Sequence, residues 1–479
     1  MMMPKWSLHV KKFGKIEEAK IDLSPFMLFV GENNTGKSYI MTLLWGILTE
    51  GSMLINLIED KDEYEEFLNN NQGTLEKFNK WVQAFKTSEE FEIPYELQEE
   101  IIRLFNNKLD NNKDVFLFRI FNHKVNAGLI KIVNYTYLDN FKLSISVDED
   151  ELPDEIKKVY RLELKHDSEV VLSMGFPEAM VKENSDFILK SLLGLIMWYM
   201  LTGSIGQKYP FEGFEEEKQP MYLPASRTGF MHSYKAFVQN VLKNNIELGF
   251  ENSQNKTDKI NKLTLPVSRF LQKLVSLDME QGRFNDLSTF VENDMISGKI
   301  IKDSSPVPNF LYKPLSHEQS IPLHVTSSLI TELSPIIMIL RSQLEPNLLI
   351  IEEPEAHLHP KLQRKLAQLL SRLYNKEIFI WITTHSDTMF QQFNNLIYLS
   401  NHTNKEELMD KLDYSNEDLF KDKSEITAYQ FVSKNNETLI EKLEMKKEGF
   451  PVPTFNDTIR SLSKETWKLL EYDTNDLGE

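Results

Sequence analysis

The apolar positions divide the chain into short buried strands, amphipathic helices and polar helical stretches. WSLHV and EEAKIDL alternate apolar and polar residues on either side of a turn at Phe13-Gly14, the pattern of two paired strands. Met27–Val30 is apolar throughout, and the SYIMTLLWGILTEG that follows its next loop has a helical period with a buried face. Residues 55–113 read as an acidic helical insertion. From DVFLFRIFNH at residue 114 to about residue 166, β-branched and aromatic alternation predicts an antiparallel β layer. A helical stretch is expected over 176–206, a short strand with a polar loop in PMYLPASRTG, and a helical arm or lid over 230–295, loosest at ELGFENSQNKTDK. NFLYKP, IPLHV, NLLII, EIFIWITT and NLIYLS read as strands. SSLITELSPIIMILRSQ reads as a helix, and KLQRKLAQLLSRLYN as a basic amphipathic one. Past residue 400, ITAYQFV and TLIEKLEM read as strands, with a final helix after Phe455.

These elements predict an α/β head with a mixed central sheet and an antiparallel β layer. It would be assembled from residues 1–54, 114–229 and 296–400, with helical insertions at 55–113 and 230–295 and a small α/β extension at 401–479. The most apolar stretch, Ser191–Gly203, is too short to span a bilayer and reads as a buried core helix. The start, MMMPKWSLHVKKFGK, lacks the apolar run and cleavage site of a signal peptide. A cytoplasmic protein with no membrane partner is the expectation.

Composition narrows the chemistry. The chain has 479 residues, long enough for several domain-sized units, and 41% of them are hydrophobic. A net charge of −18 argues against indiscriminate wrapping of nucleic acid, though it leaves room for a local basic groove. With no cysteine, disulfides, thiolate catalysis and cysteine-held zinc are ruled out.

Three strand ends carry the candidate chemistry. GENNTGKS, Gly31 to Ser38, fits G-x-x-x-x-G-K-[ST] between an apolar strand and an amphipathic helix. In such a loop the backbone amides of Gly31, Asn33, Asn34, Thr35 and Gly36 would cradle phosphates. Lys37 would reach the β- and γ-phosphates of ATP, and the Ser38 hydroxyl would bind Mg²⁺. NLLII is followed by Glu352 and Glu353, carboxylates at the carboxyl end of a buried strand. Glu352 is the expected Mg²⁺ ligand and Glu353 the residue that polarises the attacking water. WITTHSD repeats the arrangement, and places His385 where it could bond the γ-phosphate or that water. Zinc held by His357 and His359 is the lesser reading, because Pro354 and Pro360 bracket them in a loop and the chain has no HExxH. Arg227, in PASRTG, could equally sense phosphate or tie down its loop.

Together, GENNTGKS, LLIIEEPEAHLHP and TTHSD resemble the ABC-type ATPase heads of the RecF, SMC and OLD-nuclease kindred, the OLD-like group above all. FGKIEEAKIDLSPFMLFVGENNTGKS, YLPASRTG and the closing YQFV and PTFNDTI segments are similar to that group as well. The resemblance implies two heads sandwiching nucleotide, each completed by a signature loop of its partner. Here that slot falls at VTSSLITELSP. Ser327 and Ser328 would cap the helix and offer hydroxyls and amides to the γ-phosphate across the dimer, although Leu329 stands where a glycine is usual. His359 stands in place of the D-loop aspartate of transporters, and Glu355, His357 and His359 would link the site to the partner head. No apolar strand after Ser400 ends in the DxD of an OLD-type nuclease domain. The resemblance therefore implies a slow, regulatory ATPase acting on a separate effector, as in bacterial anti-phage systems of the Septu and PARIS types. A RecF-like DNA-binding repair head is the alternative, with the basic helix at Lys361–Lys376 as its support.

Overall fold

The computed structural model describes residues 3–56, 73, 76–78, 80–81, 90–148, 159–177, 185–205, 220–235, 263–279, 282–303, 305, 308–451 and 460–470. Its centre is a nine-stranded mixed sheet in the order β5-β1-β2-β16-β15-β3-β14-β13-β9. The strands are β1 (Ser7–Phe13), β2 (Ile16–Asp22), β3 (Phe26–Gly31), β5 (Leu129–Val133), β9 (Pro220–Leu223), β13 (Leu348–Glu352), β14 (Phe379–Thr384), β15 (Ile426–Lys434) and β16 (Glu437–Lys442). A four-stranded antiparallel sheet joins β4 (Phe91–Glu92), β6 (Phe141–Asp148), β7 (Val159–His166) and β8 (Glu169–Pro177). A three-stranded one joins β10 (Gly298–Lys302), β11 (Phe310–Pro314) and β12 (Ile321–Pro322).

β3, β13 and β14 are buried at every position, and largely apolar, because both faces of the sheet are covered. Successive side chains on a strand point to opposite faces, so each strand divides its residues between two cores. Met27, Phe29, Leu348, Ile350, Phe379 and Trp381 join one core with α1 (Lys37–Asn56), α2 (Tyr95–Asn111), α3 (Lys113–Phe121) and α4 (Ser185–Thr202). Phe26, Leu28, Val30, Leu349, Ile351, Ile380 and Ile382 join the other. That second core also holds α5 (Leu265–Ser276), α6 (Asn285–Asp294), α7 (Ser328–Arg341), α8 (Pro360–Asn375) and α9 (Asp387–Ser400). The expected core helix is α4, whose Leu192, Leu193, Ile196, Met197 and Trp198 are buried. No helix among the described residues is long and apolar enough to cross a membrane.

Several elements differ from the sequence expectation. DVFLFRIF is not the first strand of an antiparallel layer but part of α3: Phe116, Leu117, Ile120 and Phe121 are buried at helical spacing, and Val115 and Phe118 are exposed. NLIYLS is the last part of α9, which Ser386 caps by accepting from Met389 N–H at 3.0 Å. IPLHV is a two-residue strand followed by a 3₁₀ turn at Leu323–Val325. Where an arm or lid was expected, α5 and α6 instead bury Phe270, Leu271, Leu274, Leu287 and Val291 in the second core. ELGFENSQNKTDK lies outside the described residues, as do PTFNDTI and most of the acidic stretch from 57 to 89. The tail expected as a small extension supplies β15 and β16 to the interior of the sheet, where β15 pairs in parallel with β3. A helix, α10 (Lys405–Leu412), lies between α9 and β15.

Candidate functional site

The sheet order sets β3, β14, β13 and β9 side by side and parallel, so their carboxyl ends open onto one edge. From β3 the chain turns through the phosphate-loop sequence into α1. Gly31 has φ +134°, and a Cβ there would lie 2.1 Å from the Phe431 carbonyl oxygen, so only glycine lets β15 pass this close. Asn34 (φ +60°) and Gly36 (φ +89°) turn the loop back toward the helix. Thr35 Oγ1 donates to the Glu32 carbonyl at 2.8 Å and braces the turn. Asn33, Asn34 and Ser38 are exposed, whereas Lys37 is buried. Its ammonium donates to the carbonyls of Gly31 (3.1 Å) and Glu32 (2.6 Å). Burial pushes Lys37 down to about 8, against the opposing pull of Glu353, Glu355, Glu352 and Glu32. A lysine under the field of three carboxylates from residues 352–355 shares one site with them.

Glu352 ends β13 in a buried position and accepts from Ala225 N–H at 3.2 Å, while its Oε1 is buried without a hydrogen-bond partner among the described residues. Glu353 leaves the strand in the left-handed region, φ +43°, with its N–H bonded to the Thr383 carbonyl at 2.9 Å. That turn brings its Oε1 to 3.5 Å from His385 Nε2, and the imidazole holds the Glu353 carboxyl below the usual range. Glu355, expected in the loop toward a partner, turns inward. Its Oε1 accepts from His385 N–H at 2.6 Å, and burial pushes its carboxyl up. Glu352, Glu353, Lys37 and His385 are thus brought together, with Glu355 orienting the histidine backbone.

Arg227 lies at the next strand end and is fully buried. It donates to the carbonyls of Pro224 (3.0 Å), Glu352 (2.6 Å) and Glu353 (3.1 Å), and pairs with the buried Glu332 of α7 at 2.6 Å. Of the two roles open to it in the sequence, the geometry is that of a loop tie. Glu332 was not visible as a site residue, and the only signal for it was a carboxylate on the apolar face of SSLITELSPIIMIL. Ser327 and Ser328 stand exposed at the start of α7. The expected side-chain cap is not made: Ser327 holds the N-cap position with no hydroxyl cap bond, and its carbonyl accepts from Ile330 and Thr331. No hydrogen bond joins either serine to residues 31–38 among the described residues. His357 is exposed at φ +59°, and His359 caps α8 by accepting from Lys361 N–H at 3.3 Å, so their roles are separate.

A family model described as AAA ATPase domain matches residues 6–390. The chain belongs to the AAA ATPase domain family. No curated protein matches it. Among solved structures it is similar to an Smc head bound to the C-winged helix domain of ScpA, at 11% identity, 93% of this chain, 99% of that chain and TM-score 0.35. It is similar to the SMC head domain from Thermotoga maritima as well, at 10% identity, 92% of this chain, 100% of that one and TM-score 0.32. A third is the Smc head domain with an extended coiled coil bound to the C-terminal domain of ScpA derived from Pyrococcus furiosus, at 10% identity, 97% of this chain, 100% of that one and TM-score 0.34.

The donor set of this AAA ATPase domain suits a nucleotide with a hard cation. The unpartnered Glu352 Oε1 and the exposed Ser38 hydroxyl are oxygen donors of the kind Mg²⁺ takes. The loop amides and the start of α1 offer N–H groups to phosphate.

Proposed function

We propose that the chain is a Mg²⁺-dependent ATPase whose heads pair around ATP and whose slow turnover acts as a switch on a separate effector protein, in anti-phage defence. The observation that carries the ATPase reading is the meeting of three strand ends: Lys37 after β3, Glu352 and Glu353 after β13, and His385 after β14. Bound ATP and Mg²⁺ would supply the scissile phosphoryl group and a charge-neutralising cation at Ser38 and Glu352. Lys37 would exchange its two loop carbonyls for phosphate oxygens. Glu353, kept ionised by His385, would accept a proton from the attacking water, and His385 would hold that carboxylate in place. Ser327 and Ser328, exposed at the start of α7, would complete the site of a partner head. The defence reading is supported by the resemblance of EEPEAHLHP to the OLD-like group.

Substituting Lys37→Ala should abolish ATP binding. Glu353→Gln should keep binding and lower turnover about 100-fold or more. Wild-type binding and turnover in both variants would sink the assignment.

The second reading, a DNA-binding head, draws on the basic residues of α8. Here those side chains have partners within the chain: Arg364 with Gln392, Lys365 with Asp294, and Arg372 with Asp418. A binding titration across salt concentration separates the two readings.

A further inference from the structure

Arg227 and Glu332 are both 0% exposed and lie 2.6 Å apart, on elements far separated in sequence. A buried ion pair of this kind contributes little net stability, because desolvation offsets its attraction. What distinguishes this pair is where its remaining hydrogen bonds go. The guanidinium donates to the Glu352 and Glu353 carbonyls, which fixes the peptide planes at the point where the catalytic carboxylates leave the sheet. Glu353 is a non-glycine residue at φ +43°, a conformation that needs support from its surroundings. That support is Thr383 on its N–H and, on its carbonyl, Arg227 (3.1 Å) together with the Ala356 N–H (3.1 Å). On the other side, Glu332 accepts from Thr228 N–H (3.0 Å) and from Thr228 Oγ1 (2.7 Å), and the same hydroxyl lies 3.4 Å from the Ser328 carbonyl. Ser328 and Glu332 are one helical turn apart on α7 and move with it.

We propose that Arg227 is a positioning residue for Glu353, and that the Arg227–Glu332 pair transmits the placement of the exposed Ser327–Ser328 helix end to that carboxylate. The inference depends on the ATPase reading above. A partner head that engages the start of α7 would shift the helix. Glu332 would carry that shift to Arg227, and Arg227 to the Glu353 peptide. Each head would then turn over ATP at a rate set by whether its own signature-like helix is engaged.

The test uses the full chain with two variants, Arg227→Lys and Arg227→Met/Glu332→Leu. A lysine keeps the charge but cannot serve three carbonyls and a carboxylate from one planar fork. The double apolar variant leaves no bare buried charge, which keeps the fold within reach. ATP Kd should stay within about threefold while kcat falls about 10–100-fold, the range for residues that orient a ligating or catalytic group. In wild type kcat should rise with protein concentration, and in the double variant that dependence should flatten. Wild-type kcat in a folded variant, a parallel loss of Kd and kcat, or a retained concentration dependence would each overturn the proposal. So would unfolding of the double variant, since the pair would then be structural. Lys37→Ala run alongside separates the two failures. If it retains turnover, the ATPase reading fails. If it abolishes turnover while the Arg227 variants match wild type, only the positioning role fails.

Discussion

Lys37 is the residue with the most to gain from a bound anion. Its ammonium is buried, with its pKa pushed down to about 8, and among the described residues it donates to two loop carbonyls. Phosphate oxygens would favour the charged form and raise that pKa. At pH 8.5 a large part of the free protein therefore carries neutral Lys37, and ATP binding should take up a proton. Below about pH 7 it should not. Affinity should fall as pH rises through 8, a fall that Lys37→Arg abolishes. Calorimetry in two buffers of different ionisation enthalpy measures the uptake directly. The phosphate loop was legible in the sequence because its residues are contiguous and its Gly31, Gly36 and Lys37 have fixed local duties. Glu332 was not legible as a site residue: its duty comes from a partner brought close only by the sheet order, and a carboxylate on an apolar helix face does not name that partner. Glu355 failed differently. Its neighbours in sequence suggested a surface loop, but beyond the left-handed turn at Glu353 the side chain faces inward and accepts from His385 N–H.

At the level of elements, strands covered on both faces were read correctly as apolar runs, and two helices were not. In α3 and α9 a short window of β-branched and aromatic residues outweighed the longer helical spacing of Phe116, Leu117 and Ile120, or of Met389, Phe393 and Leu396. Helix starts matter more for function here than helix bodies. His359 caps α8 while standing next to the loop that carries the glutamates. His359→Ala should cost about 1 kcal/mol of stability through the lost cap, measured by denaturant unfolding. It should leave ATP affinity near wild type and weaken ATP-dependent cross-linking between heads. Reduced ATP affinity with unchanged cross-linking would place His359 in the nucleotide site instead.

For the whole molecule, the main departure from expectation is the tail. Residues 401–479 read as a small α/β extension, yet β15 lies hydrogen-bonded between β3 and β16. Tyr429 and Phe431 enter one core, Ile426 and Ala428 the other. A chain cut after residue 400 should therefore lose cooperative unfolding and precipitate, although it contains every residue assigned to nucleotide chemistry. A two-state thermal transition in that fragment would show the tail to be dispensable. Gly31→Ala tests the same contact from the other side, since a methyl group there meets the Phe431 carbonyl. A loss of about 2 kcal/mol or more is expected.

The placement of β15 also bears on how the protein is made. Ribosomes release the chain from its amino end, so β3 and GENNTGKS emerge nearly four hundred residues ahead of the strand that must lie beside them. Pairing so distant in sequence is slow to form and exposes a sheet edge while it waits. A growing chain accordingly has its phosphate-loop sequence but no finished sheet to hold it. On the proposed function, competence to take up ATP would appear only once β15 has joined the sheet beside β3.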